Sequence, residues 1–156
     1  MASGEVGARV RFPPPLVFVA AIAAGVGLQR VVAVDLGLER WLRVGLGVAL
    51  AAAGVGLILW AAGWFRRTGQ DPAPWKPSPS LIAQGPYTRT RNPMYLSMTL
   101  IQLGVGVGLG NLWIVLLAGV ALLAVHFIAV LPEEAYLAER FGEDYQRYRS
   151  SVRRYL

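Results

Sequence analysis

Long apolar stretches separated by short polar connections organise this chain. The first two run over about residues 16–34 and 44–65. No charged residue lies between Asn92 and Pro132, and one straight helix over that length would reach about 60 Å, twice the thickness of the hydrocarbon core of a bilayer. The Gly-Leu-Gly-Asn sequence at 108–111 therefore predicts a hairpin of two helices, over about 94–107 and 112–131.

Composition supports the same class of protein. Hydrophobic residues make up 55% of the chain, charged residues only 15%, and the mean hydropathy is +0.48. We therefore predict an all-α, polytopic membrane helical bundle with about four transmembrane helices. The last two form the hairpin, and an amphipathic helix follows at 133–149, broken near Gly142. We expect a single domain over 1–156, with two N-terminal spans up to residue 65 and the second part from residue 66 onward.

Two glycine-containing stretches invite other interpretations. Residues 31–37 imitate the strand and turn that open a soluble nucleotide-binding fold, but no glycine-rich turn follows them. The Gly-Val-Gly-Val-Gly run at 104–108 resembles a phosphate-binding loop but lacks the lysine that such loops carry. Close helix packing is the favoured interpretation of that run and of the glycines of the second span, at Gly45, Gly47, Gly54, Gly56 and Gly63.

The positive charge is distributed as in a membrane protein. The net charge is +6, and the basic residues lie beside the apolar stretches, which favours a lipid bilayer over nucleic acid as the partner. With four crossings, twelve of the fifteen lysines and arginines, including Arg9 and Arg11 of the N-terminal tail, fall on one side. The positive-inside rule then predicts a multi-pass protein of the cell membrane with both termini and the 66–91 loop in the cytoplasm.

Few residue types for metal or covalent chemistry are present. The chain has no cysteine, so disulfides, thiolate metal sites and cysteine nucleophiles are excluded. Its one histidine, His126, is expected to be structural, and we predict no metal site. The oligomeric state stays open.

The stretch over 81–95 is the candidate for chemistry, because it is polar and irregular between apolar segments. Gly85-Pro86 predicts a turn, and a helix is expected to begin at Pro93. Arg91 just before it can bind an anion or simply contact lipid headgroups. The hairpin brings this stretch close to Glu133 and Glu134, which are either headgroup-level polar residues or part of a site for a compact cation beside an aromatic group.

Four motifs together resemble a known family. They are Gly85-Pro86-Tyr87, Arg91-Asn92-Pro93-Met94-Tyr95, Glu133-Glu134, and the Phe-Gly-Glu-Asp-Tyr-Gln-Arg-Tyr sequence at 141–148. In this order around a helical hairpin they resemble the isoprenylcysteine carboxyl methyltransferases and the related phospholipid methyltransferases. The resemblance covers about residue 66 to the C-terminus. It implies an integral membrane methyltransferase that uses S-adenosylmethionine, bound on the cytosolic side between the 66–91 loop, the hairpin and the C-terminal helix.

The resemblance also assigns residues by position. Those assigned to the cofactor are Pro79, Ser80, Leu81, Ile82, Tyr87, Asn92, Pro93, Met94, Tyr95 and Glu133. Those assigned to catalysis are Arg91, Asn92, Glu133 and Glu134.

Three departures from the family pattern bear on the acceptor. Asn92 replaces the commoner histidine and cannot titrate near neutral pH. Ser97 stands where a glycine is usual, and residues 129–132 lack the arginine that engages a carboxylate substrate in the carboxyl methyltransferases. We therefore expect methyl transfer to a lipophilic or small acceptor whose identity stays open. The alternative is a membrane scaffold or small-ligand binder that keeps the fold without turnover.

Overall fold

A computed structural model describes residues 7–10 and 12–155. Residues 1–6 and Arg11 of the predicted N-terminal tail, and the last residue, Leu156, lie outside the described residues.

Helices form all the regular elements of the described residues. They are α1 (Pro14–Val31), α2 (Arg40–Arg67), a 3₁₀ turn (Gly85–Thr88), α3 (Pro93–Leu109), α4 (Leu112–Val125), a π-helical turn (His126–Val130) and α5 (Leu131–Ser151). Proline stands in the first turn of α1 and of α3, where its missing N–H costs no hydrogen bond. The predicted all-α architecture and the helix start at Pro93 are confirmed.

The predicted hairpin forms between α3 and α4. Gly110 adopts the left-handed conformation that ends α3 (φ 67°), and Asn111 caps α4 by accepting a hydrogen bond from the backbone N–H of Ile114 at 3.1 Å. The same Asn111 side chain donates to the carbonyl of Gly25 at 3.2 Å. The hairpin turn is therefore also hydrogen-bonded to α1, which packs along α4.

The C-terminal amphipathic helix continues directly from the hairpin. α4, the π-helical turn and α5 form one helical run from Leu112 to Ser151. Pro132 supplies no N–H to the helical ladder, and the wider π-helical turn lies immediately before it. At Gly142 the backbone leaves the helical region (φ 50°, ψ −120°), so the predicted break at this glycine is confirmed.

Glycines bring α2 and α3 into close contact. A Cβ at Gly54 would lie 2.7 Å from the carbonyl oxygen of Ser97, and a Cβ at Gly104 would lie 2.6 Å from the backbone of α2. Gly47 likewise contacts the backbone of Gly108. The expected packing role is thus confirmed for Gly47, Gly54 and the 104–108 run. For Gly45, Gly56 and Gly63 it is wrong, because nothing outside their own helix lies within 4 Å of the position of a Cβ there.

The helices have the length and composition of a membrane bundle. Among the described residues, three helical segments are long and apolar enough to cross a bilayer, and α3 is an apolar helix of 17 residues, shorter than a full span. α3 packs between α2 and α4. The prediction of a polytopic helical membrane bundle is confirmed, and we take 112–131 as the spanning part of the last helical run.

Gly54→Ala should destabilise the bundle by about 1–3 kcal/mol, because the added methyl group meets the backbone of α3. The matched change Gly56→Ala, two residues along α2, enters open space and should leave stability unchanged or slightly raised. Thermal unfolding in detergent, followed by circular dichroism, measures both. Equal transition temperatures for the two variants would contradict the packing described here.

Candidate functional site

A cavity of about 330 Å³ lies where the 65–82 segment, the start of α3 and the start of α5 meet. It brings together most of the residues assigned from the sequence. Those lining it are Ser80, Leu81, Ile82, Tyr87, Arg91, Asn92, Pro93, Met94, Tyr95 and Glu133. Segments that are distant along the chain therefore meet at one cavity, as expected from the predicted hairpin.

Glu133 and Tyr95 form the acidic side of the cavity. Tyr95 is buried in the first turn of α3, and its hydroxyl donates a hydrogen bond to Oε1 of Glu133. Glu133 follows the spanning segment, at the start of α5. Burial raises the pKa of its carboxyl to about 7; the hydrogen bond from Tyr95 opposes this rise and the neighbouring Glu134 adds to it. A cationic ligand beside Glu133 would relieve the cost of ionising it.

Arg91 is the cation of the cavity lining. Its side chain is only 9% exposed, and Nη1 lies 3.3 Å from Oε1 of Glu134. Within the described part of the chain, neither Nε nor Nη1 of Arg91 has a hydrogen-bond acceptor. A buried guanidinium with free N–H groups is costly, so it is suited to receive an anionic ligand.

Glu134 is assigned to catalysis by the resemblance, but it does not line the cavity. It is buried between two guanidinium groups, and Arg154 binds both of its oxygens, with Nε 2.9 Å from Oε1 and Nη2 2.7 Å from Oε2. These bonds and the nearby Arg91 hold the pKa of Glu134 below its usual value despite its burial. Its position supports a structural role in holding Arg91.

Asn92 is held by the C-terminal segment. Its Nδ2 donates to the carbonyl of Arg154 at 3.0 Å, and the neighbouring Arg91 N–H donates to the carbonyl of Arg153 at 2.9 Å. Thr90 and Arg153 form an isolated parallel bridge. The polar side chain of Asn92 therefore ties the start of α3 to the chain end, although the residue also lines the cavity.

Aromatic side chains form another wall. Tyr87 is buried, and its ring packs edge-on against Phe65 with centroids 6.0 Å apart. The hydroxyl of Tyr148 donates to the backbone carbonyl of Tyr87 at 2.8 Å. Burial keeps the pKa of the Tyr87 phenol far above its usual range, so Tyr87 is neutral and presents an aromatic surface rather than a charge.

The proline-rich loop, residues 68–80, lines one side of the cavity, where the resemblance had placed the 66–91 loop; its hydrogen-bond partners were not predicted. The backbone N–H of Ser78 donates to the hydroxyl of Tyr136 at 3.0 Å, and Nε of Arg140 donates to the carbonyl of Ser78. On the other side of the loop, the carbonyl of Pro74 accepts a hydrogen bond of 2.8 Å from the backbone N–H of Ala8. Only the irregular composition of the loop marked it in the sequence, because its partners lie far away along the chain.

The cavity lining and the residues assigned from the sequence differ in two ways: besides Glu134, one assigned residue is absent from the lining, and some lining residues were not assigned. Pro79 is exposed and does not line the cavity. Phe65, Met98 and Tyr136 line the cavity but were not assigned from the sequence, because nothing distinguishes them there from other apolar or interfacial residues. His126 lies outside the lining, with Nδ1 hydrogen-bonded to the hydroxyl of Tyr155 at 2.8 Å, in keeping with a structural role.

Part of this sequence is similar to known proteins. A family model described as phospholipid methyltransferase matches residues 42–144. An uncharacterised protein of Haemophilus influenzae is 40% identical over 63 residues, which are 40% of this chain and the whole of that protein. The protein-S-isoprenylcysteine O-methyltransferase of Schizosaccharomyces pombe is 35% identical over 72 residues, which are 46% of this chain and 30% of that enzyme.

Gly85→Ala should disturb the aromatic wall. Gly85 has a φ of 59°, and a Cβ there would overlap the indole ring of Trp64. Gly69 has a similar φ of 66° but open space around it, so Gly69→Ala reports the backbone strain alone, about 1–2 kcal/mol. We expect Gly85→Ala to lower the unfolding temperature in detergent clearly more than Gly69→Ala does. Similar losses for the two would show that Trp64 moves aside freely.

Proposed function

Because the chain belongs to the phospholipid methyltransferase family, we propose that it transfers the methyl group of S-adenosylmethionine to a lipophilic or small acceptor at the cytosolic face of the membrane. One observation carries this proposal. A single cavity holds a carboxylate, Glu133, and a buried guanidinium, Arg91, that form no salt bridge with each other. Such a pair is suited to the ammonium and carboxylate groups of an amino acid moiety.

The lining suits the rest of the cofactor as well. Glu133 would attract the ammonium group, and the free N–H groups of Arg91 would bind the carboxylate. Tyr87 and Phe65 would pack on the adenine ring or face the sulfonium, an attraction of about 0.5–2 kcal/mol for a cation over an aromatic ring. The cavity, at about 330 Å³, lies within the usual range for small-molecule sites.

The residues of the chain position the reactants and exclude water. When bound, S-adenosylmethionine would supply an electrophilic methyl group on sulfur. Transfer by displacement requires alignment of donor and acceptor and little acid–base chemistry at the donor. The proline-rich loop and Ala8 close the cavity toward the polar side. Pro14 and Pro15, at the start of α1, and Met98, in the second turn of α3, form an apolar side at which a lipophilic acceptor would bind.

The charge distribution supports a cytoplasmic site. Arg91 and Glu133 belong to the side that carries twelve of the fifteen basic residues, so both termini and the cavity are assigned to the cytoplasm of a multi-pass cell-membrane protein. We take residues 1–156 as one methyltransferase domain, in which residues 66–156 contribute the cofactor loop, hairpin and C-terminal helix. Its two N-terminal spans, within 1–65, would complete the cavity through Phe65 and α1.

A second candidate function is ligand binding without turnover. The observation that favours it is the position of Asn92, whose amide is engaged with the backbone of Arg154 and has no titrating group to accept a proton. Transfer of labelled methyl groups from the donor to an extracted lipid fraction distinguishes the two. Transfer supports the enzyme, and donor binding without transfer supports the binder.

Titration calorimetry with S-adenosylhomocysteine tests the site directly. We expect the purified protein to bind it and Glu133→Gln to weaken binding at least about tenfold, because a charge-assisted contact is lost. Glu139→Gln is the matched control, since Glu139 is an exposed carboxylate on the same helix. Absence of binding, or equal binding by Glu133→Gln, would refute the proposed donor site.

Donor binding should also depend on pH. Burial raises the pKa of Glu133 to about 7, so the free site is largely protonated at pH 6 and ionised at pH 8. Because the ionised form attracts the ammonium group, affinity should rise by about tenfold between these pH values. Binding to Glu133→Gln should lose that dependence. A wild-type affinity that is flat, or that falls with rising pH, would exclude Glu133 as the titrating contact.

A further inference from the structure

The C-terminal segment 152–155 returns to the start of α3. After α5 the chain is extended at Val152, and the carbonyl of Arg154 accepts hydrogen bonds from Oγ1 of Thr90 at 3.1 Å and Nδ2 of Asn92 at 3.0 Å. Beyond it, the hydroxyl of Tyr155 lies 2.8 Å from Nδ1 of His126. The segment is thus held by hydrogen bonds at Arg154 and at Tyr155.

The Arg154 side chain occupies the carboxylate that also faces Arg91. Glu134 is 10% exposed and accepts two hydrogen bonds from Arg154, at 2.9 and 2.7 Å. Arg91 lies farther away, at 3.3 Å, and makes no hydrogen bond with Glu134. Arg154 thus takes one acceptor site on each oxygen in good geometry, and Arg91 keeps a charge attraction to Glu134 without a hydrogen bond.

We propose that Arg154 is a positioning residue for the methyl donor: by binding both oxygens of Glu134 it leaves Nε and Nη1 of Arg91, a residue of the cavity lining, free to bind the donor carboxylate. This inference rests on the proposed function. Without Arg154, Glu134 is the nearest strong acceptor for a guanidinium that is 9% exposed. A bidentate pair between Glu134 and Arg91 would then form, because a buried carboxylate requires compensation. The guanidinium would turn away from the donor carboxylate.

The variants Arg154→Ala and Glu134→Gln/Arg154→Gln separate positioning from stability. We expect Arg154→Ala to raise the Kd for S-adenosylhomocysteine and the KM for S-adenosylmethionine by about tenfold, with a smaller change in kcat. The double variant replaces the charged carboxylate beside Arg91 with a neutral amide, whose oxygen is a much weaker acceptor for a guanidinium. Its Kd should return to within about threefold of that of the unmodified protein. Arg147→Ala removes an equal charge from an exposed position of α5 and should leave Kd unchanged.

Each outcome decides between the inferences. Recovery of affinity in the double variant supports positioning, since a purely structural role would leave both variants equally impaired and equally less stable in thermal unfolding. Equal impairment therefore overturns the inference, as does an Arg154→Ala protein with unchanged Kd. If the unmodified protein fails to bind S-adenosylhomocysteine, the proposed function itself fails. If the unmodified protein and Arg154→Ala bind it equally well, only the role of Arg154 is refuted.

Discussion

An uncharged stretch twice as long as a bilayer is thick has to turn back on itself, and the rest of this structure depends on that constraint. In the hydrocarbon region the backbone must satisfy its own hydrogen bonds, so the stretch forms two helices joined by a short turn. Gly110 and the capping Asn111 form that turn. Once it is made, the two polar ends of the hairpin lie side by side, and Arg91 and Glu134 meet although more than forty residues separate them.

Two adjacent glutamates take different roles because their surroundings differ. Glu134 faces two guanidinium groups and stays ionised, which compensates the cost of burying it. Among the described residues, Glu133 has only the hydroxyl of Tyr95 as a hydrogen-bond partner, and its carboxylate is costly to ionise in the cavity. The carboxylate of Glu134 is thus neutralised by arginines of the structure, whereas that of Glu133 lies beside no such cation in the described part of the chain and would be stabilised by a cationic ligand. That asymmetry is the physical basis for the donor site proposed here.

Helix packing and site construction use different residues in this chain. Gly47, Gly54 and Gly104 let α2 and α3 approach until their backbones touch, which replaces the hydrophobic driving force that is weak between helices in lipid. The cavity instead combines helix ends, which carry Tyr95 and Glu133, with irregular backbone outside the spans, which carries Arg91. Hydrogen bonds such as those of Ser78 with Tyr136 and Thr90 with Arg154 hold that irregular backbone in place.

The sequence by itself determined the helical class, the hairpin and the helix start at Pro93. It also determined that the stretch over 81–95 lies close to Glu133. Apolar length, proline and glycine are local signals, and they act through the backbone of the residues that carry them. It did not distinguish Gly54 from Gly56, because only the packed partner decides which face of α2 is covered. It assigned Glu133 alone to the cofactor but both Glu133 and Glu134 to catalysis, and it did not mark Arg154. Those roles depend on which charges lie within a few ångströms of one another, and only the tertiary structure brings the C-terminal segment back to the start of α3.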